Sequence, residues 1–162
     1  MYQRLVIPLD GSEIAERALI EATELASLSH TPMHLVRVID SASADMAVVS
    51  GKLTDSEDTA VLLADDVDDA CQYLDDVARR LGDRGHRITH EVRCGPAAGQ
   101  LIDAAQPGDL YVMASHGRTG LSRWFMGSVA EEVVRRIPVP VLLVRAGTPV
   151  KPSDTRRSLA WS

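Results

Sequence analysis

Five short strand-like runs, four of them apolar and one alternating apolar with polar residues, are interspersed along this chain with segments whose apolar residues recur at helical spacing, and few architectures accommodate that pattern. The runs cover residues 5–9, 33–39, 86–93, 110–114 and 139–144. Between the first two, Ile14, Ala18, Leu19, Ala22, Leu25 and Ala26 form a helical stripe. Ser12 stands where a cap is needed, and Glu13 and Glu16 fall in the positive first turn. Next comes the clearest helix, with Leu63, Val67, Ala70, Leu74, Val77 and Leu81 on one side and aspartates on the other; Gly82 and Gly85 end it. Gly95-Pro96 opens a short third helix that Pro107-Gly108 closes. Ser128 and Glu131 have capping-box spacing and start a fourth helix, which reaches Ile137 and stops at Pro138. A β-α-β-α-β-α-β-α-β chain folds as α/β, a doubly wound parallel sheet with helices on both faces.

Strand order follows from which runs tolerate water. Buried parallel strands read as unbroken apolar runs, whereas edge strands alternate or carry proline. Residues 5–9 and 110–114 are the most apolar. Residues 86–93 alternate Ile88, His90 and Val92 with Arg87, Thr89, Glu91 and Arg93, and the last run holds Pro140. Both therefore belong at edges, which the five-stranded order 3-2-1-4-5 satisfies. The flavodoxin-like order 2-1-3-4-5 would bury Arg87, Glu91 and Arg93 in the middle of the sheet.

At 162 residues the chain supports one domain, over 1–146, with a variable loop or insertion at 41–60 and a polar tail at 147–162. Membrane spans need about 18 consecutive apolar residues, and no run approaches that. MYQRLVIPLDGSE lacks the apolar stretch and cleavage site of a signal peptide, and two cysteines make no disulfide framework, so a cytoplasmic location is expected. Of the 17 basic residues only Lys52 and Lys151 are lysines, and neither lies in a glycine-rich loop. A Walker-type phosphate lysine is thus excluded. The net charge of −6 is uneven: residues 53–78 hold nine acids and no base, which leaves the rest of the chain at +3. An overall negative charge therefore does not argue against an anionic ligand.

Open α/β sheets bind ligands outside the carboxyl ends of the strands, where the strand order reverses. In the order 3-2-1-4-5 that place lies between strands one and four. Strand one exits at Asp10-Gly11-Ser12 and strand four at Ala114-Ser115-His116-Gly117. The loop after strand four then leads to Gly127-Ser128 at a helix start, where unpaired N–H groups and the dipole favour an anion. Arg118 and Arg123 add positive charge.

These residues also carry a resemblance. ASHGRTGLSRWFMGS, residues 114–128, followed by VAEEVVRRIPVPVLLVR, resembles the C-terminal signature of the universal stress protein family. The nucleotide-binding branch of that family carries G-x-x-G, nine residues, then G-[ST]. Here Gly117, nine residues and Gly127-Ser128 match, with Ala114 in the place of the first glycine. VIPLDGSEIAERAL, the VRVID ending the second run and CGPAAGQLIDAA match in place, so the likeness spans residues 3–145 apart from 41–60. It implies the order 3-2-1-4-5, a homodimer and bound ATP. Asp10 then faces the ribose or the phosphates and is the candidate to help hold Mg²⁺ beside them. Val38 meets the adenine through its backbone, and Gly117, Gly127 and Ser128 cradle the phosphates. Pro8, Leu9 and Ala114 line the pocket, and Ser115, His116, Arg118 and Val129 complete the expected set. At position 114 a requirement for positive φ would disfavour alanine, whereas a requirement for smallness would not; the second is expected.

Simpler roles stand beside these. Asp10 can form an Asx turn, and Ser128 can act as an N-cap with no ligand involved. His116 has no Ser-His-Asp or Cys-His partner pattern, so no catalytic residue is assigned. His86 and His90 share a face without a completing metal set, and Cys71 sits on the apolar stripe. The apolar edge at 139–144 calls for a covering partner, which a second copy supplies. The expected function is that of an ATP-binding, nucleotide-linked stress-response regulator. A slow ATPase on the same fold and a dimeric interaction protein without nucleotide are the alternatives. No nucleic-acid or membrane partner is expected.

Overall fold

In the computed structural model, which describes residues 1–40, 56–116 and 127–146, five parallel strands form one sheet. The strands are β1 (Arg4–Pro8), β2 (Met33–Ile39), β3 (Ile88–Cys94), β4 (Asp109–His116) and β5 (Val141–Ala146). Their order is 3-2-1-4-5, as the edge argument requires. Leu5 pairs with Met33 on one side and Leu110 on the other, and Ala114 pairs with Val144.

Among the described residues four helices cover the sheet: α1 (Glu13–Ser29), α2 (Ser56–Gly82), α3 (Ala97–Asp103) and α4 (Ser128–Arg136). Strand alternation sends Leu5, Ile7, Leu35 and Val112 to one face, where Ala18, Leu19 and Ala22 of α1 and Leu74, Val77 and Leu81 of α2 bury them. It sends Val6, Val36, Tyr111 and Met113 to the other, under Ala98 and Leu101 of α3 and Ala130 and Val133 of α4. Ser12 caps α1 as its sequence position suggests, its Oγ accepting from the Ala15 N–H at 3.1 Å.

Strand ends shift by one or two residues from the sequence reading, and three boundaries differ for a physical reason. α2 begins at Ser56, inside the segment read as a loop. Ser56, Glu57 and Asp58 have the chemistry of a helix start, but they precede the apolar period by which a helix is recognised. Residues 41–55 lie outside the described residues, as does the 147–162 tail. The last strand starts at Val141, not residue 139, because Pro140 has no N–H for the ladder; its carbonyl instead accepts from Tyr111 N–H at 3.0 Å. At α4, Gly127 is the N-cap and Ser128 the first helical residue, so the expected Ser128 cap is corrected.

Candidate functional site

A cavity of about 250 Å³ opens over the carboxyl ends of β1, β2 and β4, on the α3–α4 side of the sheet. Of the residues singled out from sequence, it brings together Pro8, Leu9, Asp10, Val38, Ala114, Gly127, Ser128 and Val129. Ser115 does not line it: that side chain is buried and its Oγ donates to the Val144 carbonyl at 3.4 Å. Gly117, Arg118, Gly120, Arg123 and the side chain of His116 lie outside the described residues.

One wall is the exit of β1. Leu9 is buried, and its N–H donates to the Val36 carbonyl at 2.8 Å, which fixes where Asp10 leaves the sheet. Gly11 has φ of +86°, a conformation side chains resist, so the glycine makes the bend. Asp10 Oδ1 accepts from the Ser12 N–H at 2.8 Å. The Asx turn is therefore present, and the same residue still borders the cavity.

The opposite wall is the start of α4. No side chain among the described residues caps it, and the first bond within the helix runs from Glu131 N–H to the Gly127 carbonyl at 2.9 Å. The amides of Ser128, Val129 and Ala130 precede that bond and have no partner within the helix. All three residues line the cavity. Gly127 has φ of −56° and ψ of 150°, open to any residue. Its glycine is thus not explained by backbone conformation, and what it provides is a bare surface.

The remaining walls are apolar: Val36, Leu101, Met113, Ala97 and Ile14. Sequence reasoning did not assign these. Val36 and Val38 share a face by the two-residue period, and Ala97 and Leu101 by the helical one, so the signal existed but not the knowledge of which face opens. Tyr111 is buried in the core on the same face of the sheet. Its hydroxyl donates to the Leu101 carbonyl at 2.8 Å, tying α3 to the sheet. Burial, and next the Asp109 charge, push that phenol up to about 12, so it stays a donor.

Ala114 is unstrained. Among the described residues His30 is the one non-glycine at positive φ. Position 114 is ordinary strand, and smallness is what it contributes to the cavity wall.

The other titratable groups sit elsewhere. Asp109 and Arg4 pair at the amino ends of the strands, at 2.7 Å. His90 meets Asp75 at 2.9 Å, and Cys71 and Cys94 are free thiols. Among the described residues no three His, Cys, Asp or Glu side chains gather as a metal site, and no helix is long and apolar enough to cross a membrane.

Comparison with known proteins gives a consistent result. Residues 1–145 match the model of the Universal stress protein family. Universal stress protein MJ0531 of Methanocaldococcus jannaschii is 29% identical over 147 residues, spanning 90% of this chain and 83% of that one. The solved structure of MJ0577, a protein from the same organism, superposes with a TM-score of 0.75 at 26% identity and covers 91% of this chain and 99% of that one. A universal stress protein from Archaeoglobus fulgidus, solved in complex with dAMP, shares the fold with a TM-score of 0.57 at 20% identity, covering 88% of this chain and 98% of that one.

Proposed function

The chain belongs to the universal stress protein family, and from that premise we propose that its crevice binds an adenine nucleotide, ATP with Mg²⁺, and that binding serves regulation. The observation that carries the reading is the start of α4, with no cap among the described side chains, opening at Gly127 into a cavity that is otherwise apolar except for Asp10 and Ser12 at the exit of β1. A nucleotide has matching halves. A flat base suits Val36, Val38, Leu101 and Met113, while phosphates suit the amides of Ser128 and Val129 with the helix dipole behind them. Asp10 lines the same cavity, and its carboxylate is the group this reading assigns to the ribose or to a metal carried by the phosphates. The dAMP-bound relative supports the class of ligand.

The setting of this regulator is the cytoplasm, and its partner is a second copy of itself. β5 is the outer strand of the sheet, and Leu142 on it is 37% exposed. An apolar edge of this kind is covered by pairing with another. Sedimentation at micromolar concentration checks this, and a monomer contradicts it.

Mass spectrometry of ligand released from the freshly purified protein tests the binding, with titration calorimetry against ATP beside it. The expected result is co-purified adenine nucleotide or calorimetric saturation. A nucleotide-free protein that gives no heat with ATP defeats the reading.

A further inference from the structure

The ligand loop is supported from the face of the sheet away from the cavity. Val36 and Val38 border the cavity, so Arg37 between them points the other way. Its guanidinium reaches the back of Gly11: a Cβ built on that glycine would stand 3.6 Å from Nη1 and 3.7 Å from Nη2. The same guanidinium lies over the ring of Tyr73 on α2, 5.0 Å from the centroid. The Tyr73 hydroxyl donates to Glu16 Oε1 at 2.9 Å, and Arg80 approaches that carboxylate at 3.6 Å. Glu16 itself closes the first turn of α1, its N–H donating to the Ser12 carbonyl at 3.1 Å. Both ends of the segment from Gly11 to Glu16 thus meet one stack of cation, ring and carboxylate.

A loop that turns on glycine is loose unless something fixes it, and ordering it on binding weakens the ligand's hold. A planar guanidinium laid on an aromatic face is a stiff support. We propose that Arg37 is a positioning residue for the nucleotide: clamped on Tyr73, it is the floor on which the Asp10-Gly11-Ser12 loop rests, and it keeps Asp10 turned to the crevice. It touches no ligand, since it is not among the cavity walls. The proposal rests on the nucleotide reading for its consequence but not for its geometry.

The test uses the full chain carrying R37M, R37K, Y73L or R37M/Y73L. In the nucleotide-free protein, amide exchange at Ser12 and Ala15, whose N–H groups bond Asp10 and Ser12, is expected to accelerate about tenfold in R37M and Y73L. ATP affinity is expected to fall by about tenfold in either variant, and by no more in the double variant, because the two side chains act as one support. R37K keeps a cation over the ring but loses the planar guanidinium, so it is expected to restore only part of the affinity lost in R37M, while the same change in the Y73L background restores nothing. Unchanged exchange in R37M and Y73L overturns the proposal, as does additive loss in the double variant. If exchange responds as expected but the parent chain binds no ATP, the support of the loop stands and the nucleotide reading falls.

Discussion

Replacing Asp109 by asparagine should cost the fold much and the site nothing. Asp109 is 2% exposed, yet its carboxylate accepts from Arg4 Nε at 2.9 Å, from Arg4 Nη2 at 2.7 Å and from the Gln106 N–H at 2.9 Å. Asparagine keeps the shape but loses the charge, and its NH₂ group is turned toward a donor. Removing one member of a buried pair costs about 3–5 kcal/mol, because the other charge is left uncompensated. The Arg4 side chain is 23% exposed and regains some water, which places the loss at the low end. About 3 kcal/mol, at about 2–4 °C per kcal/mol for a chain of this size, lowers Tm by about 6–12 °C. The cavity lies at the other end of β4, roughly 17 Å away at Ala114 by strand rise, so ATP affinity should hold within about twofold. Calorimetry of D109N and of R4M/D109N measures the effect. The double variant removes the orphaned cation and should be more stable than D109N alone. A Tm fall under about 2 °C, or a double variant less stable than D109N, refutes the reasoning.

Other perturbations address the site and the pH response. G127E puts a carboxylate where phosphate is proposed to sit; at about 5 Å and an effective dielectric of about 20 the repulsion is about 3 kcal/mol, and calorimetry should show ATP affinity down more than about a hundredfold. Unchanged affinity would show that the start of α4 is not the site. A114G should leave affinity within about threefold, because alanine is unstrained there, whereas A114L should fill the cavity and weaken ATP by about tenfold or more. A large gain from A114G would mean that the strand bends as ligand enters. His34 is held below its ordinary 6.5 chiefly by burial and then by the Arg4 cation, with Glu91 opposing at 3.6 Å. The unfolded chain therefore takes up this proton at higher pH than the folded one, so the contribution to stability is full above 6.5 and declines as pH falls below it. Urea midpoints at about pH 7.5 and about pH 5.5 should differ less in H34Q than in the parent, and an equal difference would exonerate His34.

The legible parts of this fold are those decided by a residue and its near neighbours. Ser12 announces the start of α1, and the charges of residues 87–93 announce an edge strand, because no partner could neutralise Arg87, Glu91 and Arg93 in the centre of a sheet. Once the edges are assigned, the crossing point between β1 and β4 follows, and with it the placement of Asp10 opposite Gly127. Ser128 was less legible for a physical reason. A serine three residues before a glutamate reads as a capping box, yet a helix entered from Gly127 satisfies the same spacing with the serine one position further in. The apolar walls were illegible for another reason. Val36, Leu101, Met113 and Ile14 come from four elements, and only the packing of α3 and α4 decides which of many buried apolar residues end beside open space. The Tyr111 hydroxyl, buried and tied to a backbone carbonyl, leaves no mark in the sequence at all.

The uneven charge of the chain acquires its meaning from the placement of α2. The exposed aspartates of that helix, from Asp65 to Asp76, sit on the face of the sheet opposite the cavity. Charges in water are screened over roughly 8 Å at physiological salt, so a solvated acidic surface behind the sheet contributes little to the potential at the start of α4. What an anion meets there is set by groups within a hydrogen bond's reach: amides with no partner inside the helix, a glycine that keeps side-chain atoms out of the way, and low-polarity walls that strengthen both. Lysine, absent from every described wall of the cavity, is not needed for such a contact, because the backbone itself supplies the donors. The same logic explains why the support for Asp10 comes from behind. An arginine or lysine side chain fixed beside Asp10 would occupy the carboxylate that the ligand or its metal needs, whereas Arg37, on the far side of Gly11 and laid over Tyr73, supports the loop without competing for what the loop presents.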